Sequence, residues 1–136
     1  MAKLTLELEE DFSFKLIGIN CHVKDYRLCW EVNEALHFDF VKEKDYEVIA
    51  KGVAQYYSFY SFIDEDNYIE YYLISNRGDS GRLVPEEKCD FLLLIKGNIK
   101  TEQLNEISEK LHKIKNILTA YPIEVEQLKS RKNLIF

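Results

Sequence analysis

At 136 residues the chain is long enough for one real core, and its 46% apolar and 31% charged content is ordinary for a globular protein. A formal net charge of −6, with a pI near 5.1, argues against nucleic acid and anionic membrane surfaces as partners, because both call for a cationic face. No apolar stretch approaches the ~18 residues that span a bilayer, and Met1–Glu7 alternates polar with apolar unlike a signal peptide, so the expected location is the cytoplasm.

Lys3–Leu8 alternates strictly, with Leu4, Leu6 and Leu8 on one side, and predicts a half-buried strand. Glu9-Glu10-Asp11 breaks it, and Phe12–Asn20 follows as a second strand that turns apolar on both faces from Leu16 to Ile19. His22–His37 reads as a helix whose stripe Leu28, Val32, Ala35 and Leu36, with Cys29 at its edge, should face the sheet. Tyr26 and Trp30 sit four apart on the opposite flank. Two readings of them are open. The preferred one packs both under the next loop; the other makes them a partner surface.

Phe38 and Phe40 alternate with polar residues and suggest a short edge strand. Lys42–Asp45 is a solvated charge cluster, and Tyr46–Ala50 a short strand or helical turn. Gln55–Ile63 reads as one strand, Asp64–Asn67 as a turn and Tyr68–Ser75 as the return strand, a hairpin rich in cross-strand aromatic pairs. Asp64, Asp66 and Glu70 lack the glycine and distal glutamate of a calcium loop, so the turn is an ordinary acidic one. Asn76–Gly81 is a loop by composition; its glycines lack P-loop spacing, and Arg77-Gly78-Asp79 is a coincidental match to an integrin-binding string.

The stretch Leu83–Gly97 organises the chain. Pro85 marks a bend before a strand, and Phe91–Ile95 is an unbroken apolar run of strand length, as expected of a strand buried on both faces at the middle of a sheet. Asp90, just before the run, is expected to cap a backbone donor or to carry function. Thr101–Asn116 is a second helix, with Thr101 as N-cap, a stripe of Leu104, Ile107, Leu111 and Ile114, and an outer face acidic early and basic late. Ile117–Val125 is a strand that Pro122 assigns to an edge, Glu126–Arg131 a helical turn, and Leu134–Phe136 an apolar tail packed onto its own domain or a partner.

Cys21, Cys29 and Cys89 include no Cys-x-x-Cys pair, and their spacing with His22, His37 and His112 fits no zinc pattern; they read as buried thiols. Neither a metal nor a cofactor is expected. The element order predicts one α+β domain over residues 1–136. It has a mainly antiparallel sheet of about five to seven strands with both helices on one face, a ferredoxin-like (split βαβ) variant.

Asp25-Tyr26-Arg27-Leu28 with Trp30 and Asn33, Tyr72–Asn76 and Lys132-Asn133-Leu134 together resemble the signatures of the bacterial family called IPExxxVDY after its motif. Val84-Pro85-Glu86 and Cys89-Asp90-Phe91 stand where that motif falls, with valine for isoleucine, cysteine for valine, phenylalanine for tyrosine, and one spacer residue fewer. The family has no established activity, so the resemblance implies a relative and no mechanism.

Asp25, Arg27, Asn33, Asn76, Glu86 and Asp90 are polar groups at element edges. Arg27 with Glu86 or Asp90 is expected to join the first helix to the central strand, as a structural network or as a ligand or partner site. Tyr26, Trp30 and Phe136 are the candidate interface. The expected function is a non-enzymatic interaction module acting as a homodimer, with no nucleic-acid or membrane partner. The alternatives are a small-ligand sensor and, remotely, an enzyme using Glu86 and Asp90 as acid and base.

Overall fold

A computed structural model describes residues 13–79 and 81–136; the expected strand Lys3–Leu8 and the start of the next at Phe12 lie outside the described residues. The elements are β1 (Lys15–Cys21), α1 (Asp25–Leu36), β2 (Val41–Lys42), β3 (Tyr46–Ala50), β4 (Val53–Tyr57), β5 (Phe59–Asp64), β6 (Ile69–Ser75), β7 (Phe91–Gly97), α2 (Thr101–His112) and β8 (Ile117–Ile123). Two 3-10 turns, Val125–Gln127 and Arg131–Leu134, follow. Among the described residues a six-stranded sheet runs β2-β5-β6-β7-β1-β8, antiparallel at every pairing, and β3 and β4 form a separate two-stranded ribbon. The protein is α+β, as expected, and β8, carrying Pro122, is an edge strand.

β7 lies inside the sheet, and Phe91–Ile95 is buried throughout. Alternation sends its side chains to two cores. Phe91, Leu93 and Ile95 join Ile17, Ile19 and Leu73 under the helices, where Leu28, Val32 and Leu36 of α1 and Ile107 and Leu111 of α2 close the layer. Leu92 and Leu94 join Leu16 and Ile74 on the opposite face. Among the described residues no α-helix covers that face. Leu83, Val84 and Cys89 of the loop before β7, Tyr57 of the ribbon, and Val125, Leu128 and Leu134 after β8 cover it instead. Gly18 permits this second layer: a Cβ there would stand 2.9 Å from the Tyr121 ring, which lies across β1.

Several boundaries differ from expectation. The run Gln55–Ile63 is two strands, split at Ser58, whose carbonyl accepts the Ser75 N–H at 2.9 Å. The first half leaves the sheet to pair with β3, so Tyr46–Ala50 is a strand and not a helical turn. Lys51 and Gly52 both have positive φ (53° and 78°), the backbone that a two-residue type I′ hairpin needs. Phe38 and Phe40 do not form the edge strand, which is Val41–Lys42; their rings pack with Phe62 and Tyr71 against the helix-side core. Thr101 is the first helical residue and Lys100 holds the N-cap position, its N–H bonded to Gln103 Oε1 at 3.0 Å. No described helix is long and apolar enough to cross a membrane.

Candidate functional site

Asn76 directly follows β6 and is fully buried. Its Oδ1 accepts the Val84 N–H at 2.7 Å, and its Nδ2 donates to the carbonyls of Glu87 and Cys89, each at 3.0 Å. Its own backbone donates to Asp90 O at 2.9 Å and accepts from Leu83 N at 2.8 Å. One side chain thus stands in for the backbone partners that an irregular segment lacks. Val84 O accepts the Glu87 N–H at 3.2 Å, with Pro85 at the turn's second position, where its fixed φ suits it.

Asp90 caps a backbone donor: Oδ2 accepts the Cys21 N–H at 3.0 Å. Its Oδ1 lies 2.7 Å from Arg77 Nη2, so the guanidinium beside Asp90 is Arg77 and not Arg27. A cavity of about 340 Å³ opens here, lined by Cys21, His22, Ser75, Arg77, Asp90 and Phe91 among others. Glu86 is elsewhere, its oxygens accepting the Ser130 N–H (2.9 Å) and hydroxyl (2.7 Å). Burial works against its charge, yet these bonds from Ser130 hold its carboxyl below the ordinary range. Glu86 and Asp90 therefore form no shared acid–base pair.

The remaining candidates sit on α1. Asp25, in the first turn, accepts the Tyr60 hydroxyl at 2.8 Å, with Lys42 Nζ at 3.9 Å. Burial opposes its charge, but bonds from Tyr60, Ser58 and the Tyr26 N–H, with Lys42, lower its pKa overall. Asn33 pairs with the Phe40 backbone through both amide atoms, at 2.8 and 3.2 Å, and fastens the chain as it leaves the helix. Arg27 points outward. Its one ion pair among the described residues is a long contact with Glu31, 3.9 Å, and its guanidinium lies 4.9 Å from the Trp30 ring centre. The expected polar cluster is thus four separate fastenings, at Asp25, at Asn33, at Asn76 with Asp90, and at Glu86, with Arg27 in none of them. Tyr60, Arg77 and Ser130 are the partners that sequence reasoning missed.

The aromatic candidates divide. Tyr26 is 65% exposed and Trp30 54%, so among the described residues no loop covers them. Phe136 packs onto its own domain, ringed by Tyr46, Phe59 and Tyr72 at centroid distances of 5.1, 5.2 and 4.9 Å. Lys96 Nζ bonds its backbone oxygen at 2.6 Å, and 41% of the residue stays exposed.

The three cysteines are free and buried. Burial raises the thiols of Cys29 and Cys89 to about 11, leaving both protonated and poorly nucleophilic at neutral pH. Among the described residues no three His, Cys, Asp or Glu side chains converge as metal ligands would. Comparison of the chain with protein-family models and with curated proteins finds no match in either.

Proposed function

We propose that the protein is a non-enzymatic interaction module that acts as a homodimer. The observation that carries this reading is the outer face of α1, where Tyr26, Arg27 and Trp30 stand together in solvent. These three residue types dominate binding hot spots, because each combines a large apolar surface with a polar tip. The guanidinium over the Trp30 ring restrains both side chains before a partner arrives, which reduces the entropy lost on docking. Kinship with the IPExxxVDY family is part of the same proposal; its support is the motif residues themselves. The order β8-β1-β7-β6, with α1 and α2 in the two crossovers, supports the ferredoxin-like variant.

Sedimentation velocity at ~50 µM is expected to show a dimer, since a useful weak dimer has a Kd in the micromolar range. Trp30→Ala is expected to weaken it at least ~30-fold, the loss of one hot-spot residue. A clean wild-type monomer at that concentration overturns the homodimer.

A second reading, a small-ligand sensor, is favoured by a groove of about 680 Å³ between sheet and helix. Leu16, Leu104, Ser108, His112 and Ile123 are among the residues that line it, a mixture of apolar and polar side chains. A thermal-shift screen against amino acids and nucleotides is the check: on this reading one class raises the melting temperature, and no response from any class removes it.

A further inference from the structure

We propose that two copies of this chain meet through α1, antiparallel about a two-fold axis at Trp30, with Arg27 of each copy facing Glu34 of the other. The inference rests on the homodimer reading above and deepens it by assigning direction and register.

Arg27, Trp30 and Glu34 follow one another at i, i+3 and i+7, so they share one stripe of the helix. That stripe lies opposite Leu28, Val32 and Leu36, which are buried, and all three of its members are exposed. At about 1.5 Å of rise per residue, Arg27 stands ~4.5 Å before Trp30 and Glu34 ~6 Å after it. An antiparallel partner centred on Trp30 therefore sets Arg27 level with the opposing Glu34 to within ~1.5 Å, twice over, as a two-fold axis requires. A parallel partner sets arginine on arginine and glutamate on glutamate. Charge thus selects one direction and one register from an otherwise permissive aromatic surface. Arg27 can reach across because its contact with Glu31 is long, at 3.9 Å.

The rival surface is the outer face of the β3–β4 ribbon, where Ile49 is 69% exposed and Tyr56 stands beside it. It carries apolar area, and the exposed Glu47 and Lys51 flanking Ile49 give it charges of both signs, but it lacks the paired aromatic and guanidinium of α1; it becomes an outcome of the test.

The experiment is charge exchange, read by sedimentation at low salt, where steering between exposed charges is least screened. Arg27→Glu and Glu34→Arg are each expected to weaken dimerisation by ~10-fold or more, and the doubly exchanged R27E/E34R chain to return within ~3-fold of wild type. Circular dichroism of each variant confirms that these exposed changes leave the fold intact. A wild-type dimer that neither single change weakens, or that the double change fails to restore, overturns the antiparallel register and leaves the homodimer standing. Loss of that dimer in Ile49→Asp then relocates it to the ribbon. A monomeric wild type removes both proposals.

Discussion

Leu93→Ala and Leu94→Ala are each expected to lower stability by about 3–5 kcal/mol, the range for a fully buried leucine that leaves a cavity behind. The paired result matters more than either value. Consecutive residues on a strand point to opposite faces, so an antiparallel strand with one wet face would lose heavily at one position and almost nothing at the next. Here both are fully buried, Leu93 in the helix-side core and Leu94 in the core beneath the loop and the C-terminal turns. Set against a total stability of about 5–15 kcal/mol, either change approaches the unfolding threshold. Urea unfolding of both variants is the measurement, with Ile63→Ala as the control at an exposed position of β5, expected within ~0.5 kcal/mol of wild type. A loss below ~1 kcal/mol at Leu94 would mean that the face beneath the loop and the C-terminal turns does not act as a core.

That face marks the boundary of what the sequence discloses. The apolar run Phe91–Ile95 and the stripe Leu104, Ile107, Leu111 are legible because burial on a regular element repeats with the element's period. What covers Leu92 and Leu94 is not, because Leu83, Val84 and Cys89 lie on an irregular segment and Leu134 on a single 3-10 turn, neither with a period to read. The break at Ser58 is hidden for another reason. Its flanks carry the same alternating aromatics, and the division is made by a change of partner, β3 before Ser58 and β6 after it. Phe38 and Phe40 alternate like a strand, yet the partner that pins Phe40 is the amide side chain of Asn33. Charge and position at element edges match Arg27 to Glu86 or Asp90. Its place on the outer stripe with Trp30, readable from the helical period, already turned it away from the sheet. Arg77 reaches Asp90 because the end of β6 adjoins the start of β7, a juxtaposition that only the strand order supplies.

Asn76→Ala is expected to cost at least ~3 kcal/mol, since it strips partners from the buried Val84 N–H and from the Glu87 and Cys89 carbonyls together. The damage should centre on the loop before β7. Cys89 reports it: fully buried in the wild type, it is expected to react with a thiol reagent faster in the variant in native buffer, while the helix-side Cys29 stays protected. Asn76→Asp separates the two halves of the amide. It keeps the acceptor for Val84 but turns a carboxylate oxygen toward two carbonyls, so at pH 7 it should destabilise at least as much as alanine. Burial beside carbonyl oxygens raises the folded-state pKa of that new carboxyl above its unfolded value of about 3.9. The neutral acid, which can donate, is then favoured by folding, and the variant's deficit should shrink as pH falls through the raised pKa toward the unfolded one. If Asn76→Ala loses under ~1 kcal/mol and Cys89 stays unreactive, apolar burial of Leu83 and Val84 holds the loop alone, and the side chain only follows the fold it is argued to fasten.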